Sequence, residues 1–156
     1  LLLAVVATGA VVLMKLNTPP DPIELEKQAR ILEAKAYNDT FATIVMKGDS
    51  LLRLASTPSE TNEFAAFKGA IDEYGEALQL QQAHADMVAD TIGLTARFDS
   101  LMDLRKQWFE RELDVAAKFL SVEQYEFAKY RYENAKALAV DEEWQRLEAV
   151  GGKIPK

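Results

Sequence analysis

AKAYNDTFATIVMKGDSLLRLA, residues 34–55, carries Ala34, Tyr37, Phe41, Ile44, Gly48, Leu51 and Ala55 at alternating spacings of three and four. That seven-residue recurrence puts all of them on one stripe of a helix. Leu25, Ala29 and Leu32 begin a similar stripe upstream, so a first helix is expected over 23–55, about 50 Å at 1.5 Å per residue. Its start is marked: Asp21 stands at the N-cap, Pro22 at N1 and Glu24 at N3, where a side-chain acceptor, a residue without N–H and an acid each suit the exposed amides.

Outward in both directions the chain is punctuated in the same way. Thr18-Pro19-Pro20-Asp21-Pro22 is a stiff break, because proline fixes φ and lacks a donor. Ser56-Thr57-Pro58-Ser59-Glu60 repeats the pattern, with Thr57 as cap, Pro58 at N1 and Glu60 at N3. A second helix then carries Phe64, Phe67, Ile71, Tyr74, Leu78, Ala85, Val88 and Ile92, and the short turn makes it an antiparallel neighbour of the first. Near Gly93 the phase shifts to Leu94, Phe98, Leu101, Trp108 and Leu113, which predicts a kink or break there. Phe119 and Leu120 end this run. Ser121-Val122-Glu123-Gln124 reads as a capping box for a third helix with Tyr125, Ala128, Tyr132, Ala135, Leu138 and Ala139. A last short piece holds Trp144, Leu147 and Val150 before Gly151-Gly152.

The first residues, LLLAVVATGAVVLMKL, run 14 positions without a charge before Lys15. A membrane-spanning helix needs roughly 20 apolar residues, and Lys15 is placed to snorkel. The chain begins at Leu1 rather than Met, so the helix is expected to start upstream of this numbering. Leu1, Leu2, Leu3, Val5, Val6, Val11, Val12, Leu13 and Met14 are the membrane-spanning candidates. An uncleaved signal segment and a buried core helix are the competing readings. The flank from Asn17 to Glu26 holds Asp21, Glu24 and Glu26 and no base. An acidic flank is permissive for export, which places the remainder outside the cytoplasm.

No segment alternates with period two over strand length. The expected fold is all-α: one N-terminal transmembrane helix followed by an elongated antiparallel helical hairpin or three-to-four-helix bundle. The organisation is a transmembrane helix over 1–17, a Pro-rich break over 18–22, a long periplasmic hairpin over 23–120, C-terminal helices over 121–152 and a tail over 153–156.

Composition removes whole classes of chemistry. With no Cys and one His, the chain excludes disulfide scaffolds, thiol catalysis and zinc sites built on Cys or a His pair. Its net charge of −7, from 18 Lys+Arg against 25 Asp+Glu, argues against nucleic acid. His84 lies in Gln81-Gln82-Ala83-His84-Ala85-Asp86 with no second imidazole or thiolate in the chain, so it reads as an ordinary histidine at the surface or half-buried. The acid pairs Asp72-Glu73, Glu110 with Asp114, and Asp141-Glu142-Glu143 read as solvated faces paired with bases, as Glu26 with Arg30. Asp-Ser-Leu-x-x-Leu occurs at Asp49–Leu54 and again at Asp99–Leu104, two copies with unlike flanks. No catalytic residue, metal ligand or cofactor is expected.

Tyr125, Phe127, Tyr130 and Tyr132 are denser than one core stripe needs, and Trp144 follows them. Aromatics on several faces of a helix point to a partner surface or to a crowded three-helix core.

The layout resembles a known family, the TssO inner-membrane component of the type VI secretion system of Bacteroidota. The matching elements are the break at Thr18-Pro19-Pro20, Phe41 eight residues before Asp49-Ser50-Leu51, Asn62 in a turn, and the stretch Leu101-Met102-Asp103-Leu104-Arg105-Lys106 at the end of a long helix. They span most of residues 1–120, and the C-terminal third departs from the pattern. The resemblance implies a non-enzymatic structural subunit of an envelope-spanning complex: single-pass in the bacterial inner membrane, soluble part in the periplasm, expected to be oligomeric. Its partners would be other membrane-complex subunits, reached through helix–helix packing, and the lipid bilayer. The alternative from another class is a helical ligand-sensing ectodomain of a membrane receptor. A cofactor-bearing bundle is the weakest option, for want of His and Cys.

Overall fold

The computed structural model describes residues 21–56, 63–89 and 92–155. The membrane-spanning reading of 1–17, the prolines Pro19 and Pro20, the punctuation at Thr57, Pro58 and Glu60, and Asn62 all lie outside the described residues. Among those described there are five α-helices and no strand: α1 (Pro22–Ala55), α2 (Glu63–Ala83), α3 (Leu94–Ser121), α4 (Tyr125–Leu138) and α5 (Trp144–Gly151). A short 3-10 turn, Asp141–Glu143, precedes α5. The all-α class stands. The count exceeds the expected three to four helices because the break before Gly93 is complete and the last short piece is a helix of its own. No helix among the described residues is long and apolar enough to cross a membrane.

The chain divides into two compact units, Leu1–Ala36 and Tyr37–Lys156. In the first, Asp21 caps α1 as its position implies: the Ile23 N–H donates to Asp21 Oδ1 at 3.0 Å and the Leu25 N–H to the Asp21 carbonyl at 3.0 Å. The apolar side chains here stay in solvent. Leu25 is 49% and Leu32 68% exposed, so the stripe they begin is not a core stripe.

In the second unit the stripe from Tyr37 to Ala55 is buried or half-buried at every member. It meets α2 in antiparallel order. Tyr37 stacks on His84, Lys47 pairs with Glu73, Gly48 abuts Tyr74 and Leu51 approaches Gly69. The same reversal relates α2 to α3, with Gly75 against Phe98 and Phe67 against Trp108, and α3 to α4, with Arg105 against Leu138 and Phe119 against Phe127.

Two buried clusters fill the unit. One is built on Phe67, Phe109, Leu113, Leu138 and Leu147, the other on Phe41, Tyr74, Leu78, Val88 and Leu94. Leu52, Phe98 and Leu101 pack against both, which makes the core continuous. Each large side chain sealed there contributes about 1.5–3 kcal/mol.

The joints differ from expectation in instructive ways. α2 stops at Ala83, so His84 lies in a turn rather than mid-helix. Gly93 enters α3 with φ +62°, a left-handed conformation that suits a residue without Cβ. The capping box at Ser121 does not form. Ser121 closes α3, its Oγ donates to the Lys118 carbonyl, and Gln124 becomes the N-cap of α4 without a side-chain cap bond. The reason is that α3 ends in a Schellman turn: the Gln124 N–H reaches the Phe119 carbonyl at 2.9 Å and the Glu123 N–H the Leu120 carbonyl at 3.2 Å. That motif requires a left-handed residue, and Glu123 supplies it at φ +58°. A left-handed L-residue costs about 1–2 kcal/mol. Glu123→Gly is therefore expected to raise stability by about 1 kcal/mol, read as a higher urea midpoint at unchanged slope.

Candidate functional site

The five aromatic candidates separate when the helices pack. Tyr132 turns inward, half-buried against the cluster of Phe109 and Leu147, with its ring over Gly151, where a Cβ would come within 2.8 Å of it. Phe127 and Tyr130 stay 61% exposed, Tyr125 40% and Trp144 39%. Phe127 and Tyr130 are three residues apart on α4 and so adjoin on its surface. Phe127 stacks on Phe119 across the α3–α4 joint at 5.4 Å, and Tyr130 holds the Arg131 guanidinium 5.5 Å from its ring centre. The result is an apolar ledge with a fixed base.

The support beneath it is ionic. Glu112 of α3 is 2% exposed and accepts from Arg131 Nη1 at 3.0 and 3.1 Å and from Asn134 Nδ2 at 3.1 Å. Those bonds fix the rotation of α4 on α3 and hence which of its side chains face out. One turn pair away, Arg105 binds Glu143 through two hydrogen bonds of 2.7 and 3.0 Å and donates to the Leu138 carbonyl at 2.9 Å. Glu143 also accepts from the Val140 N–H at 3.1 Å. This corrects the reading of Asp141-Glu142-Glu143 as a solvated run, since Glu143 is 9% exposed and spent on Arg105. Glu110 pairs with Arg146 of α5, and that hydrogen-bonded guanidinium holds the Glu110 carboxyl below its ordinary range.

A third polar centre joins α1, α2 and α3. Asp49 accepts from the Tyr74 hydroxyl and, at 2.7 Å, from Arg97 Nη2, while the Arg97 guanidinium lies 4.8 Å from the Tyr74 ring centre. Burial first, then the bond to Asp49, pushes the Tyr74 phenol up to about 12. A raised phenol favours the protonated form in the folded chain. Its contribution is thus complete below the ordinary value of 10.0 and disappears as pH rises toward 12. Alkaline titration is expected to cost the wild type roughly 2–3 kcal/mol over that interval, and Tyr74→Phe to flatten the profile there, as measured by urea unfolding at successive pH values.

His84 stacks on Tyr37 with ring centres 3.6 Å apart, beside the Asn38 Nδ2 bond to the Met87 carbonyl at 2.7 Å. Among the described residues no group of three or more His, Asp or Glu is arranged to hold a metal ion. Comparison with protein-family models, with curated proteins and with solved structures returns no match.

Proposed function

We propose that this protein is a non-enzymatic scaffold subunit, held at the bacterial inner membrane by its N-terminal apolar residues. Its helices lie in the periplasm and present α4 to other subunits of an envelope-spanning complex of the type VI secretion kind. The observation that carries the reading is the ledge of Phe127 and Tyr130, each 61% exposed, set on a core that already encloses Phe67, Phe109 and Leu147 without them. Exposed aromatics on a rigid base are the usual centres of protein interfaces. The ion pairs of Glu112 and Arg105 supply the rigidity. The chain's acidity, −7, supports protein or lipid rather than nucleic acid as neighbour.

The test is photocrosslinking in native membranes. A benzophenone side chain at position 127 or 130 is expected to give one discrete heavier product, and the same group at exposed Glu148 to give none. Equal labelling at all three positions, or none at any, would defeat the reading. The anchor is tested separately: carbonate washing should leave the full chain in the membrane pellet and release a chain lacking residues 1–17. A second reading, a ligand-sensing ectodomain, is favoured by one feature, a recess of about 470 Å³ between α2 and α3.

A further inference from the structure

The recess between α2 and α3 is apolar in its floor and ionic at its rim. Ile71, Phe98 and Met102 form the floor. Gly75 leaves the depth: a Cβ there would meet only the Phe98 ring, at 3.5 Å, which is ordinary contact. A volume of about 470 Å³ lies within the range of small-ligand sites.

The charges at the rim decide what fits. Lys68 is spent on Asp72, at 2.8 and 3.0 Å. Arg105 is spent on Glu143. Glu76, one turn beyond Asp72, makes no hydrogen bond or ion pair among the described residues. Lys47, whose ammonium feels it, is already bonded to Glu73. Counting these side chains, the recess carries one uncompensated negative charge. At its other end Arg105, 4% exposed, has a buried Nε–H without an acceptor among the described residues. Such a donor is costly until an acceptor meets it.

From this geometry we infer that the α2–α3 recess binds a small amphipathic amine: an apolar body, one ammonium group toward Glu76, and a neutral carbonyl toward Arg105. A carboxylate in place of the carbonyl would add a charge where Arg105 is already neutralised and Asp72 and Glu76 repel it. The inference depends on neither the membrane anchor nor the α4 ledge, so its failure leaves the scaffold reading untouched.

The probe is 4-fluorophenylalaninamide, followed by fluorine NMR on the full chain in lipid nanodiscs near pH 6, where its amine is charged. Saturable binding with a dissociation constant below about 1 mM is expected. N-acetylation of the probe, which removes the charge and keeps the ring, should weaken binding at least tenfold. Glu76→Gln should weaken it at least fivefold. Gly75→Leu fills the floor and should abolish binding with the helical circular dichroism unchanged. If Gly75→Leu does not fold, Gly75→Ala replaces it, with weaker binding expected at equal or higher thermal stability. The inference is overturned if the wild type shows no saturation up to 10 mM probe. It is equally overturned if the acetylated probe binds as well, or if neither Glu76→Gln nor the folded Gly75 variant reduces binding.

Discussion

Arg105→Met is expected to lower stability by about 3–5 kcal/mol, read as a large drop in the urea midpoint. Arg105 is 4% exposed, and its guanidinium ties three pieces of chain to α3: the last carbonyl of α4 at Leu138, Glu143 in the 3-10 turn, and through Glu143 the Val140 amide. Removing it strands a carboxylate that is 9% exposed. Burying a charge without its partner costs far more than the pair contributes when intact. The control follows from the same physics. Adding Glu143→Met to Arg105→Met removes the stranded charge and fills the space with apolar atoms, so the double variant should recover most of the loss. If the double variant is no better than Arg105→Met alone, the cost arises from packing around Met102 and Leu138 rather than from the charge. Trp144, which begins α5 directly after Glu143, gives a local readout: its fluorescence should report α5 loosening at lower urea than the helical signal in Arg105→Met, and with it in the wild type.

The parts of the fold legible in sequence are those set by neighbours within one or two turns. The 34–55 stripe, the Asp21 cap, the end of α3 near Leu120 and the break before Gly93 all rest on residues three to seven apart, and all are found. What escaped depends on partners far along the chain. Glu123 displaced Ser121 because the Schellman turn of α3 claims the same residues the capping box needs. Arg105 and Glu112 were overlooked, although a signal existed: Phe98, Arg105 and Glu112 recur at seven residues along the buried stripe of α3. A charge at an apolar position of a heptad announces a buried partner. It does not say which one, and Glu143 stands 38 residues away and Arg131 19 from the charge it meets. Asp49 is similar. Its Asp-Ser-Leu setting was visible, but its union with Tyr74 and Arg97, 25 and 48 residues on, is a product of packing. The aromatic surplus at 125–132 was legible as a surplus. Only the rotation fixed by Glu112, Arg131 and Asn134 separates inward Tyr132 from outward Tyr130.

Gly48→Val is expected to lower stability by about 3 kcal/mol, although Val has the better intrinsic helix propensity by a few tenths. Gly48 is buried in α1 against α2, and a Cβ on it would sit 2.9 Å from Tyr74 Cε1 and 3.1 and 3.2 Å from two further ring atoms. The ring has nowhere to go. Tyr74 is 0% exposed, its hydroxyl is held by Asp49 and one face is covered by Arg97. Relief must therefore come from separating α1 and α2, which opens the cluster of Phe41, Tyr74 and Leu78. The contrast is Gly75 on the other helix of the pair, where an added methyl meets Phe98 at an ordinary 3.5 Å. Gly75→Ala should gain about 0.5–1 kcal/mol from helix propensity alone. Two glycines in helix interiors thus answer the addition of carbon with opposite signs. The difference lies in whether the facing ring is pinned by a buried carboxylate or borders open space. Thermal unfolding of the two single variants beside the wild type checks both signs. A stabilised Gly48→Val would mean that Tyr74 is free to move, and that Asp49 does not hold it.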